Sequence, residues 1–417
     1  MAALRLPAPA VLALILALSA CAGARSAPAA STPPAVSTPS RPLALRFAFG
    51  GDVAGHNVCR DAKRGLPIFA VMRAQHPDFF LATGDMIYAD KQCLPQGAYG
   101  NRQIPGPPPA RTLAGYRAHW RYVRADPAYR RLRAAVPVHA IWDDHEVVDD
   151  FGPHDDQPRD LDAVDGADGG AADLSLMPMG RQAFFAFNPK ARVPGTATRM
   201  YRRLRFGVRA DIFLLDTRQY RDRNDAADSL AAPKTMLGAA QRQWLVQGLT
   251  DSRARWKFVV SSVPLSIPTG DGDRRRDGWA NGSGTTGFER ELVGMLRQLA
   301  VAQVQNLVWL TGDVHFAFAL ESRPFPVRHP DFRFWELGAG PLHAELDRNF
   351  TLDPTLTPRW RYRFAVDPQR PPKTLPAALS YFNFGLVTLQ PQGSLQVEII
   401  NARGRRVRHL RLQPAAS

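Results

Sequence analysis

The sequence predicts an α/β protein in one large domain. Two observations carry that prediction. Apolar runs of strand length alternate with segments of helical character along most of the chain, and a tail of alternating apolar and polar residues extends the same sheets. Four of the runs also stop abruptly at a carboxylate, at Asp52, Asp85, Asp144 and Asp313. A buried strand that delivers an acid at its C-terminal end is a common way for such a fold to place a metal ligand or catalyst. The 417 residues are 45% hydrophobic, enough for a substantial core and too apolar for bulk disorder. No internal repeat is present.

The first strand is expected from Leu43 to Phe49 and ends at Gly50-Gly51-Asp52. A helix over 65–76 leads back to a second strand, Phe79 to Ala82, which stops at Thr83-Gly84-Asp85. Tyr88 follows one short turn later. Asp90 comes next, suited either to anchoring the loop or to supporting a site residue. Residues 91–110 are rich in Gly and Pro and read as a long loop, a candidate lid. Residues 111–133 read as one helix that packs Tyr116, Trp120, Tyr122 and Tyr129 inward. Val136 to Ile141 is the third strand and runs into Trp142-Asp143-Asp144-His145-Glu146.

Residues 149–175 are crowded with Asp and Gly. Asp160 and Asp162 fit a calcium-loop pattern, but Val164 stands where a third oxygen ligand belongs, so a solvated loop is expected. Helices are expected over 179–188, 237–249 and 288–300. A fourth strand, Arg209 to Leu215, ends at Asp216-Thr217-Arg218, and a fifth spans Trp256 to Val263. The Gly- and Arg-rich loop from Thr269 to Gly287 contains Asp271 with no strand leading into it. The sixth strand, Asn306 to Leu310, ends at Thr311-Gly312-Asp313-Val314-His315, and strands are expected again from Tyr381 to Leu412.

The N-terminus reads as a targeting segment. Arg5 supplies a positive start, Val11 to Leu18 is apolar, and Leu18-Ser19-Ala20-Cys21 resembles a bacterial lipobox with Cys21 as the lipidated residue. The apolar run is short for a transmembrane span. Residues 22–42, rich in Ala, Ser, Thr and Pro, read as a tether. The expected organisation is a signal peptide over 1–20, a tether over 21–42 and a catalytic domain over 43–417, a monomer held by lipid on the periplasmic side of the cell envelope. Export leaves Cys59 and Cys93 as a pair, open to a disulfide, to two free thiols, or to Cys59 as a soft metal ligand.

The formal charge is +15 and favours anionic partners. The arginines are scattered and no recognition motif accompanies them, so no specific nucleic-acid partner is expected.

Clustered carboxylates repel one another unless cations neutralise them. Asp52, Asp85, Asp144 and Asp313, with His315 and Tyr88, therefore read as ligands for one or two divalent or trivalent ions. Mixed oxygen and nitrogen donors fit Fe, Mn, Zn or Ca, and a tyrosine ligand points towards Fe(III). A two-metal site neutralises phosphate oxygens, activates a water and aligns it opposite the leaving group. Asp85 is the expected bridge between two metals, His145 the group beside the leaving alkoxide, and Arg218 a planar fork for phosphate.

The order Gly-Asp52, Gly-Asp85-x-x-Tyr88, Trp142-Asp-Asp-His-Glu146, Leu215-Asp-Thr-Arg-x-Tyr-Arg221 and Gly312-Asp-Val-His315 resembles the PhoD-like branch of the metallophosphoesterases, from about residue 44 to 400. The run from Leu237-Gly238 to Gln243-Trp244-Leu245 is similar to that family too. The resemblance implies a four-layer α/β/β/α sandwich and hydrolysis of phosphate mono- or diesters at a site of two or more metal ions, with iron and calcium favoured. By motif, Asp85 would bridge, Tyr88 join it on iron, Asp144 serve the second metal, and Asp313 and His315 close the site. The chain departs from the family at Asp52, where members with iron and calcium often carry cysteine, and at Ala54, where the wider superfamily has histidine. The competing reading is a non-catalytic envelope lipoprotein that binds anionic polymers on the same scaffold.

Overall fold

A computed structural model describes residues 44–153 and 173–415. The lipobox with Cys21, the tether and the calcium-like pattern at 160–164 lie outside those residues. In chain order the strands are β1 (Leu45–Gly50), β2 (Phe79–Ala82), β3 (Val138–Ala140), β4 (Arg202–Phe206), β5 (Ala210–Leu214), β6 (Trp256–Val260) and β7 (Leu307–Thr311). They continue with β8 (Ala317–Ser322), β9 (Phe334–Gly338), β10 (Arg359–Phe364), β11 (Asn383–Leu389), β12 (Leu395–Asn401) and β13 (Arg406–Leu412). The main helices are α1 (Ile68–Ala74), α2 (Leu113–Arg124), α3 (Pro127–Ala135), α4 (Asp173–Phe187), α5 (Gly238–Thr250) and α6 (Glu289–Val301). Among the described residues no helix is long and apolar enough to cross a membrane.

The strands form two sheets, ordered β13-β12-β11-β1-β2-β3 and β10-β8-β9-β7-β6-β5-β4. β1, β2 and β3 run parallel in the first; β5, β6, β7 and β9 run parallel in the second. Successive side chains on a strand face opposite sides, and both sides are apolar here. Phe47, Phe49, Phe79 and Leu81 share one buried cluster with Ile212, Leu214, Phe258, Val260, Val308 and Leu310, which fills the space between the sheets. Their neighbours Ala48, Phe80 and Ala82 pack instead with Phe69, Trp120, Leu132 and Phe184 from α1 to α4. On the far side, Phe213, Val259, Leu307 and Trp309 pack with Leu245, Leu249, Leu292 and Leu296 from α5 and α6. The layers are therefore α/β/β/α, the architecture the motif resemblance implies.

Several elements differ from the sequence reading. The single helix expected over 111–133 is two. Asp126 caps α3 by accepting from the Ala128 and Tyr129 amides, and Pro127 suits a first helical position while breaking any helix that runs through it. Tyr116, Trp120 and Tyr129 are nevertheless buried inward. β4, β8, β9 and β10 went unassigned. β4 and β10 are sheet edges that interleave arginine with apolar residues, and β8 and β9 flank a Pro- and Arg-rich loop.

Candidate metal centre

The expected acids follow the C-terminal ends of parallel strands, where both sheets deliver their chain turns to one place. The backbone there is unusual. Asp52, Asp85, Asp313 and His315 have φ of 66°, 51°, 73° and 54°, a left-handed conformation uncommon for residues with a side chain. Close packing of the turns requires the adjacent glycines. A Cβ on Gly51 would lie 2.5 Å from the Gly84 carbonyl oxygen, and one on Gly84 would lie 2.6 Å from the Asp143 Cβ.

Asp52, Asp85 and Asp144 are buried, while Asp313 and His315 are half-buried. Both Asp52 carboxylate oxygens, Asp144 Oδ1 and Asp313 Oδ2 are buried atoms with no hydrogen-bond partner among the described residues. Ligand atoms of Asp85, Asp144 and His145 lie within 4.8 Å of one another, and so do those of Asp85, Asp143 and Asp313. Asp85 belongs to both groups. A further meeting point forms where the Tyr88 hydroxyl lies 2.9 Å from His315 Nε2, which is 3.4 Å from Asp52 Oδ1.

Left to themselves these groups resist ionisation. Burial, then the charges of Asp144 and Asp143, push Asp85 well above the usual carboxylate range. Burial and Asp143 do the same to Asp313, and burial and Asp52 push the Tyr88 phenol up. Unpartnered buried oxygens in such crowding fit a bound cation, and a donor set of carboxylates, imidazole and phenol suits hard or borderline metals.

His145 stacks on Tyr88 with ring centroids 4.0 Å apart. Its Nδ1 faces both Asp90 oxygens, at 2.9 and 3.0 Å. Burial pushes His145 down, but the charges of Asp90 and Asp144 outweigh it and hold the imidazole well above its ordinary value. Burial likewise opposes ionisation of Asp90, yet the charge and hydrogen bond of His145 bring it down to about 2. Asp90, undecided between two roles in the sequence, thus orients His145 and favours its protonated form.

Glu146, unassigned in the sequence reading, accepts from the Asp85, Met86 and Asp143 amides at 3.1, 2.8 and 2.8 Å. It ties the turn after β2 to the turn after β3. The signal was available: Glu146 closes the acid-rich run that β3 enters.

Arg218 stands elsewhere than expected. It is fully buried. Its Nε donates to Asp143 Oδ1 at 2.6 Å, Nη1 to Asp277 Oδ1 at 2.7 Å and the Phe151 carbonyl at 3.1 Å, and Nη2 to Asp277 Oδ2 at 2.6 Å. The fork is therefore occupied by a carboxylate of the protein and braces Asp143 and Asp144 from behind; it does not clamp phosphate. Burial opposes the charge of Asp277, but Arg218 and Arg221 hold it well below the usual range. Asp277 comes from the Gly- and Arg-rich loop over 269–287, and nothing local marked it.

The loop over 91–110 is also fastened. Cys59 and Cys93 form a disulfide. The Leu94 amide donates to Asn57 Oδ1 at 3.0 Å, and Asn57 Nδ2 donates to the Gln96 carbonyl at 3.0 Å. This stitches the loop to the turn after β1.

The sequence model of the PhoD-like phosphatase family matches residues 51–394. Alkaline phosphatase D of Bacillus subtilis (strain 168) is 27% identical over 223 residues, which make up 50% of this chain. The match spans only 36% of that relative's length. Among solved structures, one described as the structure of PhoD is similar with a TM-score of 0.62 at 17% identity, covering 89% of this chain and 72% of that one. Purple acid phosphatase PPD1 from yellow lupin (Lupinus luteus) seeds is similar with a TM-score of 0.53 at 13% identity, covering 88% of this chain and 53% of that one. Likeness at these identities is likeness of fold.

Proposed function

The chain belongs to the PhoD-like phosphatase family, and from that premise we propose that it hydrolyses phosphate esters with the help of bound metal ions. The observation that carries this reading is the group of buried carboxylate oxygens without partners around Asp85. Asp85 belongs to two of the three groups of candidate ligands among the described residues, which supports it as the bridge between two ions. Tyr88, Asp52 and His315 would hold one ion, Asp144 would serve the other, and Asp313 would complete the site. The phenol favours Fe(III) at the first position, with Ca at the second; Mn or Zn are the alternatives. When bound, such ions supply charge to offset the phosphate oxygens and lower the pKa of water.

The protein groups divide the remaining work. Asp90 fixes the ring of His145 and keeps its proton, so Nε2 is the donor to the departing alkoxide. Glu146 sets the spacing between Asp85 and the Asp143-Asp144 turn. Arg218 holds that turn at its back. The same reading keeps the chain as a monomer on the periplasmic side of the envelope, anchored through Cys21. The Cys59–Cys93 disulfide supports an oxidising compartment.

The test is elemental analysis of the purified protein, paired with nitrophenyl phosphate mono- and diesters before and after chelation. Bound metal and ester hydrolysis lost on chelation are expected. Metal-replete protein inactive on both ester classes would overturn the proposal.

A further inference from the structure

His56 stands at the mouth of the site, four residues past Asp52 on the turn after β1. Its ring centroid is 5.5 Å from that of Tyr88, 5.8 Å from His145 and 6.2 Å from His315, and it meets all three nearly edge-on. Tyr88 and His145 are buried and His315 half-buried, whereas His56 is exposed. Across the opening, its Nδ1 lies 3.5 Å from an oxygen of Glu345, whose side chain is itself exposed.

The turn that presents this ring is strained and rigidly held. Ala54, His56 and Asn57 have φ of 66°, 48° and 56°, left-handed values uncommon for residues with a Cβ and most costly at Ala54. The Ala54 amide donates to the His343 carbonyl at 2.8 Å. Asn57 is tied to Leu94 and Gln96, and Cys59 to Cys93. The turn also lies directly on the Tyr88 ring, since a Cβ at Gly55 would fall 2.3 Å from Tyr88 Cζ. Core packing does not explain the arrangement, because His56 is exposed. Strain held in place by its surroundings marks positions with a function.

We infer that His56 is a substrate-contact residue that binds the organic half of the phosphate ester. The inference rests on the phosphoesterase reading. A phosphoryl group seated at the acids would extend its organic substituent towards solvent, where exposed His56 stands beside buried His145. There the exposed imidazole offers a face to a planar substituent and ring nitrogens to its polar atoms. His56 thereby favours esters of planar alcohols over small alkyl ones, without touching the phosphoryl group.

Calorimetric titration of the metal-loaded protein with phenylphosphonate and with inorganic phosphate tests this. Asn is at ease in left-handed backbone, so His56→Asn removes the ring and spares the turn; His56→Ala serves as the second variant. Both are expected to weaken phenylphosphonate binding about fivefold while phosphate binding and metal content stay within twofold. Unchanged phenylphosphonate binding overturns the inference, and so does an equal loss for both ligands. If wild-type protein hydrolyses nitrophenyl esters and the variants bind as it does, the inference alone fails. If metal-loaded wild-type protein neither binds these ligands nor hydrolyses esters, the phosphoesterase reading falls with it.

Discussion

Strands β2 and β5 each end in a buried acid, and the two acids finish in opposite states. Asp85 follows β2 with left-handed backbone, and its Oδ1 accepts from the His145 amide at 3.2 Å. Around it stand Asp143, Asp144 and Asp313. Asp216 follows β5 and is saturated. Trp142 Nε1 donates to it at 2.9 Å, the Arg218 amide at 3.2 Å and the Gln219 amide at 3.1 Å, with the Gln219 side chain on its other oxygen. The pattern of apolar strand then acid is the same in both. Its meaning depends on what surrounds the acid: among donors it is a structural knot, and among other acids it is an opening for a cation.

The sharpest way to break this comparison is to truncate both acids. Asp85→Ala is expected to lower metal content and to cut ester hydrolysis on the order of a thousandfold. Asp216→Ala should leave metal content intact and act on stability, which elemental analysis and denaturant unfolding together would resolve. Equal metal loss in the two variants would erase the distinction.

Next in size is Arg218, the cation that joins the two regions. Arg218→Met removes the guanidinium from buried Asp143 and leaves Asp277 with Arg221 as its remaining cation, so about 3–5 kcal/mol of stability should be lost, read from the denaturant midpoint. A residue that clamped phosphate from solvent would instead raise KM at unchanged stability.

The open side is also exposed to acid from behind. The His343 amide donates to the Asp52 carbonyl, and His343 Nε2 lies 3.0 Å from the Cys59 carbonyl. Burial holds its imidazole down at about 4. The folded value lies below the unfolded one of about 6.5, so the unfolded chain takes up a proton that the folded chain refuses. This contribution leaves stability level above pH 6.5 and lowers it as pH falls from there towards 4, by up to about 3 kcal/mol. Unfolding measured across that window should show a shallower slope in His343→Gln.

The smallest effect concerns the pair above the site. Asp90→Asn should leave metal content unchanged and lower kcat about a hundredfold, because His145 loses its orientation and the charge that keeps its proton. The acid limb of the pH–rate profile would stay in place while the alkaline limb moved to lower pH; an unmoved alkaline limb would remove His145 from the proton-donor role.

Much of this was legible in one dimension. Asp52, Asp85, Asp144 and Asp313 could be found because a strand end is a local signal: an apolar run that stops at a carboxylate, with a glycine just before it in all but Asp144. Tyr88, His145 and His315 followed from their spacing to those acids. Asp277 could not be found this way, since its meaning comes from Arg218, which is 59 residues away in sequence and 2.6 Å away in space. Arg218 was misread for the same reason. A guanidinium at a strand end looks free until its carboxylate partner is known.

The sequence by itself determined the layers and the acids. Apolar runs alternating with helical segments pointed to an α/β domain, the motif resemblance implied its four layers, and abrupt strand ends put carboxylates at one edge. The tertiary structure decided which charges stay open and which are closed. That choice rests on distances of a few ångströms between residues remote in the chain. Trp142 and Gln219 close Asp216, Arg218 closes Asp277, and among the described residues both oxygens of Asp52, Oδ1 of Asp144 and Oδ2 of Asp313 accept no hydrogen bond.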